Sequence, residues 1–131
     1  MIVDTSALYA ILFDEPDSAH FIGMLASEQG NLSMSVATQV EAYVVAHRSG
    51  RPEIEAALGR MLDDYGIAAL AVTPEAGRIA IEAHRTYGQG SGHPARLNFG
   101  DCFSYALAKS QGEPLLFKGK DFVSTDIASA F

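Results

Sequence analysis

A single cysteine, no tryptophan and only nine basic residues against sixteen acidic ones set the first limits on this 131-residue chain. Cys102, standing alone, excludes an intramolecular disulfide framework and a multi-cysteine zinc site, and it suits a reducing compartment. The four histidines, His20, His47, His84 and His93, show no metal-ligand spacing. No apolar run approaches the roughly 20 residues that a membrane span needs. The opening MIVDTSALYAILFDEP lacks a basic n-region, and Asp4 interrupts its short apolar stretch. No secretory signal is therefore expected, and a soluble cytoplasmic protein is. The net charge of −7 argues against a broad basic surface for nucleic acid, although local pairs such as Arg48 with Arg51 and Lys118 with Lys120 remain.

What is present is an ordinary globular composition, 48% hydrophobic and 19% charged, at a length that suits one domain over 1–131. MIVD reads as a short buried strand ending at Asp4, and TSALYAILF as a helix closed by the DEPD turn. A helix over about 17–28 precedes a second strand, NLSMS. Helices over about 36–48 and 52–65 follow, the first with Val36, Val40, Val44 and His47 as its apolar side. IAALAV is a third strand. Thr73-Pro74-Glu75 starts a helix running to Tyr87, with Thr73 as its cap. GQGSGHPARL, 88–97, reads as a loop, and Asn98 opens a helix through about Gln111. PLLF is a fourth strand, and TDIASAF adds an edge strand or a helical turn. Strands separated by helices imply a three-layer α/β/α, Rossmann-like fold with a mostly parallel sheet of four to five short strands.

That geometry governs four acids. In a parallel α/β sheet, strand C-termini and helix N-termini share one edge, where ligands bind. Asp4 ends the first strand, Glu41 lies in the second turn of the helix after strand two, Asp101 in the first turn of its helix, and Asp121 after strand four. Two carboxylates about 4 Å apart repel by roughly 4 kcal/mol at an effective dielectric near 20. A cluster of four is expected to hold a hard cation and to act on phosphate. Each acid also has an ordinary role. Asp4 is a plausible helix cap, Asp101 with Asn98 resembles a capping box, and Asp121 or Asp126 could terminate a turn. Glu41, flanked by Val40 and Val44 on a face read as buried, is the least ordinary of them. Asp126 is the reserve for the fourth place. Ser6 lacks the elbow of a serine nucleophile, and the glycines of YGQGSGH follow no strand and fit no nucleotide-binding loop.

Beside these readings, D-T-S-A-L after the first strand, the acid in V-E-A-Y, N-F-G-D-C-F-S-Y-A-L-A and L-L-F-K-G-K-D-F-x-x-T-D-I resemble the PIN-domain ribonucleases. More narrowly they are similar to the VapC toxins of bacterial toxin–antitoxin modules. The resemblance implies a PIN-like fold and Mg²⁺- or Mn²⁺-dependent cleavage of RNA. Its metal-binding acids fall on Asp4, Glu41, Asp101 and Asp121, and Thr5 or Ser6 matches a hydroxyl supporting the first acid. It also implies a homodimer and a VapB-like antitoxin partner in a hetero-oligomer, with Arg85, Arg96 or Lys118 holding flanking phosphates. Two other classes compete. A phosphotransfer enzyme with Asp4 as nucleophile would normally carry a second aspartate where Ser6 stands. A catalytically inactive PIN-fold binding module would not need all four acids.

Overall fold

The computed structural model describes Met1–Phe131. Its elements are β1 (Ile2–Val3), α1 (Thr5–Leu12), α2 (Ser18–Ser27), β2 (Ser33–Ser35), α3 (Val36–Arg48), α4 (Pro52–Tyr65), β3 (Ala68–Leu70), α5 (Pro74–Tyr87), α6 (Phe99–Gln111) and β4 (Leu115–Leu116). The four strands form one all-parallel sheet in the order β3-β2-β1-β4. The expected fifth strand is reduced to a single bridge between Ser129 and Leu115. No helix is long and apolar enough to cross a membrane.

Strand alternation sorts the core into two layers. Val3, Met34 and Leu116 face a cluster built with Leu8, Leu25, Ala42 and Leu58, from the helices α1 to α4. Ile2, Leu115 and Phe117 face the opposite cluster, with Ala80, Cys102 and Tyr105 of α5 and α6. The period of two along each strand thus gives helices on both faces.

The strand order creates a switch point. From β1 the chain steps outward to β2 and β3, then returns across the sheet to lay β4 on the other side of β1. The crevice beyond the C-terminal ends of β1 and β4 is where open α/β sheets place their ligands. Side chains cap the helices that start on this edge: Asp4 caps α1, Ser35 caps α3, Thr73 caps α5 and Asn98 caps α6.

One expectation about packing is overturned. The apolar side read on α3 faces outward: Val36 is 40% exposed, Val40 58% and Val44 48%, and His47 is exposed as well. The buried face carries Thr38, Ala42 and Ala46. Small residues let α3 approach its neighbours closely, and that outweighs the transfer free energy the valines would gain. The loop at 88–97 is as expected, with its ends tied by Leu97 N–H donating to the Tyr87 carbonyl at 2.9 Å and Gln89 N–H to that of Leu97 at 3.0 Å.

Candidate active site

Asp4 is the most enclosed of the four acids, only 2% exposed at the end of β1. Its Oδ2 accepts from Ser6 N–H at 2.9 Å and from Ser6 Oγ at 2.6 Å, and its Oδ1 accepts from Ser104 Oγ at 2.6 Å. The capping role is therefore real and coexists with a place in the site. Two bonds use both lone pairs of Oδ2, whereas Oδ1 keeps one. Ser6 Oγ in turn accepts from the Lys118 backbone N–H at 2.9 Å, which ties the segment after β4 to the segment after β1. Of the two hydroxyls expected beside the first acid, Ser6 supports Asp4, and Thr5 Oγ1 reaches Glu41 Oε2 at 3.4 Å.

Glu41 projects from α3 to the same edge. Its half-buried carboxylate is raised above the usual range, first by burial and then by the charge of Asp4, with the Thr5 hydroxyl opposing. It lies against the first turn of α6, where a Cβ on Gly100 would overlap the carboxylate. Ala37, Glu41, Asn98, Phe99, Gly100 and Phe103 line a cavity of about 270 Å³ there. Asp101 completes a capping box: its Oδ2 accepts from Asn98 N–H at 2.7 Å, and its own N–H donates to Asn98 Oδ1 at 2.8 Å. Burial pushes this carboxyl up to about 7 from an ordinary 3.8. The Asn98 N–H opposes the shift, and the charges of Asp4, Asp121 and Glu41 add to it. Asp101 thus feels all three other acids at once.

Asp126 is placed differently. Its Oδ1 accepts from Tyr105 Oη and its Oδ2 from Lys109 Nζ, each at 2.6 Å, and these bonds hold its carboxyl below the usual range. It is absent from the charges that act on Asp101, whereas Asp121 is among them. The basic residues are also sorted. Lys118 Nζ is paired with Glu15 and, at 2.6 Å, with Asp17, and Arg85 is paired with Glu82. Arg96 is exposed, holds a left-handed backbone (φ 54°) and has no carboxylate partner. Cys102 is the small core residue expected of it.

The PIN domain family matches residues 1–128 of this chain. Ribonuclease VapC42 of Mycobacterium tuberculosis is 50% identical over 130 residues, covering 99% of this chain and 98% of the relative. The chain belongs to the VapC branch of the PIN-domain family. Ribonuclease VapC28 of the same organism is 44% identical over 130 residues, 99% of this chain and 97% of the relative. Among solved structures, the sarcin-ricin loop cleaving toxin VapC20 of M. tuberculosis superposes with a TM-score of 0.77 at 17% identity, over 98% of this chain and 97% of that one. A toxin–antitoxin complex from Klebsiella pneumoniae matches with a TM-score of 0.69 at 17% identity, over 95% and 92%. At that identity the two structures speak for the PIN fold.

The VapC site offers carboxylate oxygens and hydroxyls, with no imidazole among them and the one nearby thiol, Cys102, buried and donating to the Asn98 carbonyl. No three histidine, cysteine, aspartate or glutamate side chains are grouped so as to hold a metal ion by themselves. That donor set fits a hard divalent ion such as Mg²⁺, which takes one or two protein carboxylates and keeps several waters. The raised Asp101 carboxyl fits it too, since an added positive charge would offset the burial and the like charges behind the shift. Sequence reading missed three supporting residues: Ser104, Thr38 and Gly100. Ser104 falls one turn after Asp101 inside N-F-G-D-C-F-S-Y-A-L-A, and a hydroxyl in that apolar run was the available signal.

Proposed function

We propose that this VapC-family protein is an endoribonuclease, the toxin of a toxin–antitoxin module, and that it hydrolyses RNA phosphodiester bonds with the help of Mg²⁺ or Mn²⁺. The observation that carries this reading is the placement of Asp4, Glu41 and Asp101 on one edge at the switch point of the sheet, where Ser104, one turn after Asp101, meets Asp4 Oδ1 at 2.6 Å and Thr5, next to Asp4, reaches Glu41 Oε2 at 3.4 Å. The naming of its 44–50% identical relatives as VapC ribonucleases supports it.

Asp4 and Asp101 are the principal metal ligands in this proposal, each with an oxygen or lone pair left over after its local hydrogen bonds. Glu41 and Asp121 bind a second ion or orient water in the outer shell. A divalent ion bound there supplies Lewis-acid activation of a water for in-line attack on phosphorus and neutralises charge on the phosphate oxygens. Around it, Ser6 and the cap geometry fix the Asp4 rotamer, and Gly100 admits Glu41 to the edge. Of Arg85, Arg96 and Lys118, Arg96 is the one without a carboxylate partner and is the one assigned here to a flanking phosphate; Lys118 and Arg85 are committed to local carboxylates.

Purified Asp4→Asn or Asp101→Asn is expected to lose Mg²⁺-dependent cleavage of RNA while melting cooperatively. Full activity in either variant, free of wild-type enzyme, would count heavily against the site.

The partners in this proposal are RNA, a second copy of the chain and a VapB-like antitoxin. An acidic edge flanked by exposed Val40, Val44, Ile81 and Phe99 suits a basic, amphipathic segment. Such an antitoxin peptide is expected to inhibit cleavage less strongly as salt rises. Inhibition that ignores salt, or none at all, would argue for another mode of restraint. Sedimentation of the purified chain distinguishes the dimer from a monomer.

A further inference from the structure

Behind the acids runs a buried chain of hydroxyls. Ser104 is fully buried, and its Oγ lies 2.6 Å from Asp4 Oδ1. Thr38 is 1% exposed, and its Oγ1 lies 3.2 Å from Ser104 Oγ. The direction of the chain follows from counting hydrogens. An ionised carboxylate only accepts, so the one Ser104 hydroxyl hydrogen goes to Asp4. Ser104 Oγ can then only accept from its other neighbour, so Thr38 donates. The relay runs Thr38 to Ser104 to Asp4, and no buried side-chain polar atom is left without a partner.

Its placement matters as much as its direction. Thr38 precedes Glu41 by three residues on α3, Ser104 follows Asp101 by three on α6, and Asp4 ends β1. On a helix, residues three apart lie on one face, a turn from each other. The relay therefore cross-links the three elements that carry three of the acids, one turn behind the site.

We propose that Ser104, aligned by Thr38, is a positioning residue for the divalent-ion site: it fixes Asp4 Oδ1 and the mutual register of β1, α3 and α6. This rests on the metal-site reading given above and goes beyond it. Outer hydrogen bonds of this kind orient ligands and change metal affinity by about 10–100-fold when removed. Charge-assisted, buried and short, the Ser104 bond is of the stronger class, and the neutral Thr38 bond is the weaker link.

The test is calorimetric titration of Mn²⁺ into the full chain without RNA, alongside the Mn²⁺ dependence of cleavage. Ser104→Ala is expected to raise the Mn²⁺ dissociation constant by about 10–100-fold. Thr38→Val, equal in shape and lacking the donor, raises it by about 2–10-fold, and Thr38→Ser restores most of the affinity. At saturating Mn²⁺ the KM for RNA stays near wild type in each variant. Melting in EDTA establishes that each variant folds; should Ser104→Ala not fold, the Thr38→Val and Thr38→Ser pair decides. Wild-type Mn²⁺ affinity in folded Ser104→Ala, or equal effects of Thr38→Val and Thr38→Ser, overturns the proposal alone. A wild-type chain that neither binds Mn²⁺ nor cleaves RNA overturns the metal-site reading and this proposal with it.

Discussion

Gly100 and Glu41 meet so closely that any side chain at position 100 would push the Glu41 carboxylate aside. Gly100 is helical and not left-handed, so alanine there is compatible with the first turn of α6. Gly100→Ala is therefore expected to leave the melting temperature unchanged or slightly higher. It should lower RNA cleavage by about 10–100-fold, because a reactive group displaced by about 1 Å loses that much. Comparing melting with single-turnover cleavage checks this; a fully active Gly100→Ala would show that Glu41 is dispensable. At this scale Asp4 and Asp101 were legible from the sequence, since each ends a strand or opens a helix. Gly100 was not legible, because its reason lies on a helix some sixty residues earlier in the chain.

The helices show how far local patterning carries. α1, α4, α5 and α6 begin and end where caps, prolines and glycines place them: Asp4, Pro52, Thr73 and Asn98 at the starts, Gly66 and Gly112 in left-handed conformation at two of the ends. The orientation of α3 did not follow from its pattern. Valines at 36, 40 and 44 form a helical stripe by hydrophobicity, yet the stripe of Thr38, Ala42 and Ala46 is the buried one. Two substitutions two residues apart, on opposite sides of the helix, separate these faces. Val40→Glu is expected to change stability by less than about 0.5 kcal/mol. Ala42→Leu, forced into a fully buried position, is expected to destabilise by about 1–3 kcal/mol. Urea unfolding of both variants measures the contrast, and the reverse order would return the valines to the core.

For the whole molecule, the acidic edge opposes folding unless its charge is offset. Asp101 has a folded-state value near 7 against an ordinary 3.8, and Glu41 is shifted in the same direction. A raised folded-state value means that the folded chain holds the proton more tightly than the unfolded chain does. The stability from this group is complete below about 3.8 and is lost as pH rises through about 7. Metal-free protein is thus expected to lose stability between about pH 4 and pH 7, by about 1–2 kcal/mol once the partial solvation of Asp101 is allowed for. In EDTA, Asp101→Asn should melt roughly 5 °C above wild type at pH 8 and close to it below about pH 4. An equal difference at both values would mean that Asp101 gains its charge without penalty.

The amino-acid sequence by itself determined the order of strands and helices, their parallel arrangement and the edge on which the acids would gather. Those features rest on periodicity, caps and turn residues within a few positions of one another. Tertiary structure alone decided the rest. The β3-β2-β1-β4 order sets the crevice between β1 and β4, Asp126 is held by Tyr105 and Lys109, and Ser104 meets Asp4 across one hundred residues of chain. Such contacts form only when distant segments pack, and a local pattern carries no record of which segments those will be.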